Sequence, residues 1–262
     1  MAEEKIRFED GAGYERMMGT WSRLAGEVFL DWLAAPAGQH WVDVGCGNGA
    51  FTELLVDRCA PAQVQGIDPS EAQLAFARAR PAGRVARFQL GDAMALPFAD
   101  DSFDAAVMAL VIFFVPDPVK GVAEMMRVVR PGGSVSAYAG DILGGGFPQA
   151  AMQAGMRELG VTPSLPPSVA VSRMDALREL WTTSGLEAVQ TREITVQRTF
   201  ENFDDLWSTG LLGSSVGPKV AAMPASDVAL LKEKVRARLP ADASGRITHG
   251  ARANAVKGRV PG

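Results

Sequence analysis

Apolar positions in this chain switch repeatedly between strand-like runs and helical spacing. Residues 21–34 place Trp21, Leu24, Val28, Leu30, Trp32 and Leu33 on one side of a helix, with Thr20 as a candidate N-cap and Pro36 beyond its end. Residues 41–44 form an apolar strand, which breaks into Gly45, Gly47 and Gly49 before helical spacing resumes over 50–59. A second strand over 63–68 ends in Asp68, and Ser70 is placed to cap a helix over 71–80. A third strand over 85–90 leads into Gly91-Asp92-Ala93-Met94. Residues 103–111 are almost continuously apolar, as expected of a strand covered on both faces, and Ile112-Phe113-Phe114 follow. A helix opening at Pro118 stops at Pro131-Gly132-Gly133, and residues 134–139 make a fifth strand. This alternation predicts an α/β fold with a parallel sheet and helices on both faces.

The second half is less regular. Asp141 to Gly146 leave the fifth strand, a short helix fits 148–159, and residues 161–171 are rich in proline and serine, as a cap over a site would be. Residues 176–184 suit a helix ending at Gly185, and 188–200 alternate as a long strand. Helices over 203–210 and 225–239 precede a last strand over 247–256, where Ala251, Ala253 and Ala255 oppose Arg252 and Asn254. Met152, Met156, Trp181 and Trp207 are either core residues or the walls of an apolar pocket, with core the simpler reading.

Composition adds constraints. With 262 residues and a 47% hydrophobic share, the chain has the profile of a soluble globular protein. The longest apolar run, 105–115, is far short of the roughly 20 residues a membrane span needs. The charged start MAEEKIRFEDG lacks the apolar segment of a secretory signal, so a cytoplasmic location is expected. Cys46 and Cys59 flank a helix too long for a disulfide, so both are expected as free thiols. Two cysteines with His40 and His249 do not make a usual zinc set, and no metal is expected. The net charge of −4 is uneven: residues 232–259 carry eight Lys/Arg against Glu233 and Asp242, a local +6. Without aromatic residues for base stacking, that stretch reads as a solvated helix face, with nucleic acid as the other reading.

The candidate chemistry lies at the strand ends. A glycine turn between strand and helix lets a ligand lie against bare main chain, although a turn of this kind can also be purely structural. Asp68 falls 19 residues after Gly49, about where a doubly wound nucleotide fold presents an acid to a ribose diol; a capping aspartate is the alternative. Asp92 ends the next strand and can accept from an adenine amino group while the Ala93 N–H meets a ring nitrogen.

Five segments in order carry a resemblance: Val42-Asp43-Val44-Gly45-Cys46-Gly47-Asn48-Gly49; Gly66-Ile67-Asp68; Gly91-Asp92-Ala93 with Leu96-Pro97-Phe98; Asp101-Ser102-Phe103-Asp104; and Arg127 with Arg130-Pro131-Gly132-Gly133. Over residues 14–140 the chain resembles class I S-adenosylmethionine-dependent methyltransferases, most closely the small-molecule (methyltransferase type 11, UbiE-like) subset. The resemblance implies a Rossmann-like, doubly wound, seven-stranded, mostly parallel sheet with an antiparallel last strand beside the fifth, plus a helical cap. It divides the chain into an N-terminal lid segment and helix (1–36), a cofactor-binding core (37–140), a substrate cap insertion (141–185) and a completing part (186–262). It places the methionine portion of S-adenosylmethionine on the loop of Gly45, Cys46, Gly47 and Gly49, the ribose diol on Asp68, and adenine on Asp92 with Ala93, and counts Asp43, Pro69, Ser70 and Met94 among the further cofactor-binding residues. The main chain near Ala109 would flank the sulfonium. Tyr14 and Arg23 are candidates for the lid and the cofactor carboxylate, although Arg23 is equally a solvent-facing helix residue. Many relatives carry a histidine shortly after the fourth strand, where this chain has Ile112-Phe113-Phe114. Asp141 and Tyr14 are then the candidate catalytic bases. The expected function is methyl transfer to a small-molecule acceptor by a monomer or homodimer. Methylation of RNA or protein, and a non-catalytic S-adenosylmethionine or S-adenosylhomocysteine-binding module, are the alternatives.

Overall fold

A computed structural model describes residues 15–262. The candidate lid residue Tyr14 lies outside the described residues. Seven strands form one sheet in the order β3-β2-β1-β4-β5-β7-β6: β1 His40–Val44, β2 Gln63–Asp68, β3 Ala86–Leu90, β4 Phe103–Ala109, β5 Val129–Gly140, β6 Glu187–Phe200 and β7 Ile247–Arg259. β1 to β5 pair in parallel, and β7 runs antiparallel between β5 and β6, so the sheet is mixed and doubly wound as expected. The order reverses between β1 and β4, where Asp43 pairs with Val107, and the crevice of such a sheet opens at the carboxyl ends of those two strands.

Period-two alternation assigns the faces. In β1, Val42 and Val44 join one buried cluster while Trp41 joins another; in β5, Val135, Ala137 and Ala139 oppose Tyr138 in the same way. One face is covered by α4 (Pro118–Val128) and α6 (Met174–Thr183), and the other by α1 (Thr20–Leu33) and α2 (Ala50–Cys59). Trp181 of α6 is fully buried and donates its indole N–H to the Val135 carbonyl at 3.0 Å, which makes it core. A third apolar cluster joins α5 (Ala150–Glu158) to α7 (Phe203–Leu211), α8 (Gly217–Ala221) and α9 (Ala225–Arg238) through Met152, Met156, Trp207 and Leu231. The expected cap at 141–185 therefore divides in space: α5 belongs to a helical layer with 203–238, while α6 covers the sheet.

Several local expectations change. Thr20 does not cap α1: a π-helical turn over Glu15–Gly19 runs directly into the helix, so Thr20 is an interior position with a helical residue before it. β4 ends at Ala109 rather than 111, because Leu110 turns the chain with φ 62°. β5 starts five residues before the expected Ser134: Val129 already pairs with Phe103, and Pro131-Gly132-Gly133 is accommodated as an irregularity before pairing resumes at Ser134. Ser70 does cap α3 (Glu71–Ala79), its hydroxyl accepting from the Gln73 N–H at 3.4 Å.

Candidate functional site

The loop after β1 is anchored at its start and open in its middle. Gly45 and Cys46 both donate main-chain N–H groups to the Ile67 carbonyl, at 2.7 and 3.0 Å, which folds the loop back over β2. Gly45 has φ 77°, and a Cβ there would lie 2.6 Å from Val111 Cγ2, so side-chain-free backbone is required by Val111, two residues beyond β4. Gly47 has φ 52°, but a Cβ there would meet no described atom within 4 Å; its missing side chain leaves a cradle of bare main chain. Cys46 points inward, is buried, and burial pushes its thiol well above the usual range, so only its backbone faces outward chemistry.

Two acids lie beneath and beside this cradle. Asp68 accepts from the Gly47 N–H through Oδ2 and from the Ser70 N–H through Oδ1, both at 2.9 Å. A carboxylate has about four lone-pair sites, so each oxygen keeps one for a further donor. Burial raises the Asp68 pKa, and the two backbone donors oppose that rise. Asp43 is buried deeper: Oδ2 accepts from Thr52 Oγ1 at 2.6 Å, and Oδ1 is buried with no hydrogen-bond partner. Its burial, opposed by the Thr52 bond and reinforced by the Asp68 charge, pushes the Asp43 carboxyl up to about 7. A buried carboxylate oxygen with no donor fits a cationic ligand above the loop.

At the end of β3, Asp92 Oδ1 accepts from the Met94 N–H at 2.8 Å, and among the described residues nothing bonds its second oxygen or the Ala93 N–H. Pro69 is exposed and Ala109 half-buried at the strand ends. Arg127 holds the neighbouring turn, donating to the carbonyls of Leu96 at 3.0 Å and Phe98 at 2.8 Å and pairing with Asp100 at 2.7 Å. Two of the five sequence segments thus form one clamp.

Other expected residues fall elsewhere. Arg23 takes the solvent-facing alternative, exposed on α1 and paired with Glu27 at 3.2 Å. Asp141 is engaged within the protein: it pairs with Arg252 at 2.6 Å and accepts from the Gly144 N–H at 2.9 Å, because β7 brings Arg252 alongside the end of β5. Each of the eight cations of 232–259 has an intramolecular partner. Lys234 and Arg238 meet Glu158, Arg236 meets Glu233, Arg246 meets Asp242 and Arg252 meets Asp141. Lys232 lies over Trp207, and Lys257 and Arg259 reach the Trp32 and Gly132 carbonyls.

Three features escaped sequence reasoning. Arg80 donates to the Asn48 carbonyl at 2.7 Å and pairs with Glu53 at 2.8 Å and Glu15 at 3.0 Å, tying the glycine loop to the N-terminal segment. Leu110 holds a left-handed conformation that a branched side chain rarely adopts, secured by its N–H bond to the Tyr138 carbonyl at 2.8 Å. Beside Leu110 an apolar cavity of about 60 Å³ opens between Phe113, Phe114, Ile142, Phe147 and Met18, and no ionisable side chain lines it among the described residues. The Pro/Ser-rich composition of 161–171 hinted at a cap there, but nothing local announced the strained Leu110.

A family model described as a methyltransferase domain matches residues 42–137, from within β1 to within β5. Residues 42–137 are thus similar to a methyltransferase domain. The chain is 41% identical over 121 residues to the ubiquinone/menaquinone biosynthesis C-methyltransferase UbiE of Paracoccus denitrificans, covering 45% of this chain and 48% of that one. It is 38% identical over 130 residues to the O-methyltransferase cnsE of Penicillium expansum, covering 48% and 46%. The chain spans about half the length of the curated relatives it matches. The matched region with its flanking parts also shares the fold of the YcgJ protein of Bacillus subtilis, with a TM-score of 0.59 and 16% identity over 91% of this chain and 98% of that one. The cavity wall beyond residue 137 lies outside the family match, so the relatives do not fix what it accepts.

Proposed function

We propose that this protein transfers a methyl group from S-adenosylmethionine to a small-molecule acceptor. The observation that carries the reading is the open main-chain cradle at Gly47, bordered by Asp68 with a spare acceptor site on each oxygen and underlain by the unpartnered Asp43 Oδ1. That donor set fits a cationic nucleoside: Asp68 for the ribose diol, Asp92 and the Ala93 N–H for adenine, and the 45–49 loop with Asp43 for the charged methionine end. When bound, the cofactor supplies a sulfonium methyl that an acceptor lone pair can take, the C–S bond breaking with its electrons left on sulfur.

The chain's own part is positioning and exclusion of water. Leu110 brings the β4 end against both the glycine loop, through Val111, and the apolar cavity, so donor and acceptor spaces share a wall. A methyl already activated on sulfur needs orientation more than a strong base, which agrees with a cavity lined by no ionisable group among the described residues. The intramolecular pairing of the 232–259 cations supports a small acceptor over RNA. The UbiE and cnsE names place methyl transfer at carbon in one relative and at oxygen in the other, so the acceptor atom is read from assay. The test supplies isotopically labelled donor with separate metabolite, RNA and protein pools; label in the metabolite pool is expected. Label confined to RNA or protein refutes the small-molecule assignment, and no label with intact S-adenosylhomocysteine binding refutes catalysis.

A further inference from the structure

Gln149 and Gln153 stand one helical turn apart at the start of α5, and both line the apolar cavity. Their amides are treated differently. Gln149 donates to the Gly210 carbonyl at 2.6 Å and accepts from Ser215 Oγ at 3.3 Å, so it fastens the 210–215 segment. Gln153 is 2% exposed, yet its side-chain amide bonds to no described residue. Its amide atoms face the cavity without a protein partner, so a complementary group entering there can bond them. The remaining polar lining is Ser164, Ser214 and the already engaged Ser215.

We propose that Gln153 is the polar anchor of the acceptor site, and that the site selects an uncharged acceptor bearing a hydroxyl or carbonyl group. The inference rests on the methyl-transfer reading for what enters the cavity. An amide offers two donors and an acceptor but no charge, so it complements a hydroxyl or carbonyl and compensates neither a carboxylate nor an ammonium. Moving an ion into a space walled by Phe113, Phe114, Ile142 and Phe147 with no counter-charge is strongly unfavourable. The cavity, at about 60 Å³, admits the polar end of such a molecule and opens to solvent past the exposed Leu165.

The test uses the full chain saturated with S-adenosylhomocysteine and four monosubstituted benzenes as probes: phenol, benzoate, benzylamine and toluene. Binding is followed on the Gln153 side-chain amide resonance, assigned by its absence in Gln153→Leu, and by the probe's own relaxation. Phenol is expected to bind at least about tenfold more tightly than benzoate or benzylamine. Gln153→Leu should lose about tenfold for phenol while keeping toluene, and Gln153→Glu should turn the preference toward benzylamine. Benzoate or benzylamine matching phenol in the wild type, phenol binding unchanged in Gln153→Leu, or no probe moving the Gln153 resonance would each overturn the proposal. S-adenosylhomocysteine affinity, measured separately, tells the two readings apart: its loss in the wild type refutes the methyl-transfer function, whereas its retention in the Gln153 variants shows that they are folded and that only the acceptor site has changed.

Discussion

Gly45 and Gly47 are two residues apart and both left-handed, yet alanine at each should fail for a different reason. At Gly45 the new Cβ meets Val111 Cγ2 at 2.6 Å, and the backbone has φ 77°. The left-handed conformation costs about 1–2 kcal/mol for an L-residue, and forcing a methyl into packed contact adds about 1–3 kcal/mol. The sum, about 2–5 kcal/mol, is a large part of a typical 5–15 kcal/mol stability and corresponds to roughly 5–15 °C in Tm for a chain of this size. At Gly47 no described atom lies within 4 Å of the Cβ position, so only the conformational cost applies, about 1–2 kcal/mol or a few degrees. The ligand should report the opposite order. A Cβ at Gly47 stands where the cofactor must lie against main chain, so Gly47→Ala should weaken S-adenosylhomocysteine by roughly tenfold and Gly47→Val by about a hundredfold or more. The assay is thermal and urea unfolding of Gly45→Ala, Gly47→Ala and Gly47→Val, followed by isothermal titration on each variant that remains folded at the working temperature. Gly47→Val binding within about threefold of wild type, or Gly47→Ala unfolding as early as Gly45→Ala, would show that the loop does not carry the ligand as argued.

The two buried acids give further expectations. Asp68→Ala should weaken S-adenosylhomocysteine about 10- to 150-fold, since roughly 1.5–3 kcal/mol of charge-assisted bonding is removed; unchanged titration would take Asp68 out of the ribose role. Asp43 is held near pKa 7 against 3.8 when free, so the folded chain binds the extra proton; its contribution to stability is full below about pH 4 and is lost as pH rises to about 7. Asp43→Asn should therefore flatten that decline in urea unfolding between pH 5 and pH 8, and a slope identical to wild type would contradict the burial argument. A cationic ligand above the loop lowers the Asp43 pKa, so binding near pH 7 should release a fraction of a proton, seen as a buffer-dependent titration heat. Equal heats in buffers of different ionisation enthalpy would refute it. Asp141→Asn should cost about 1–3 kcal/mol in unfolding by weakening the Arg252 pair while leaving S-adenosylhomocysteine affinity intact; loss of affinity with unchanged stability would restore Asp141 to the site.

The sequence alone determined what depends on neighbours a few residues away. Strand period, helix spacing and the Ser70 cap are local, so the five parallel strands and α3 were legible, as were the glycine loop after β1 and the acids ending β2 and β3. Tertiary structure decided everything that depends on a distant partner. Asp141 reads as a free carboxylate until β7 lays Arg252 beside it, 111 residues along the chain. Gln149 and Gln153 look equivalent on one helix, and only the approach of the 210–215 segment engages the first and leaves the second open. Leu110 gives no local sign of its left-handed turn, since the strain is sustained by the bond to Tyr138 across the sheet. The physical reason is range: periodicity and capping are set within about one helical turn, while the choice of partner for a buried polar group is made only when the chain closes on itself.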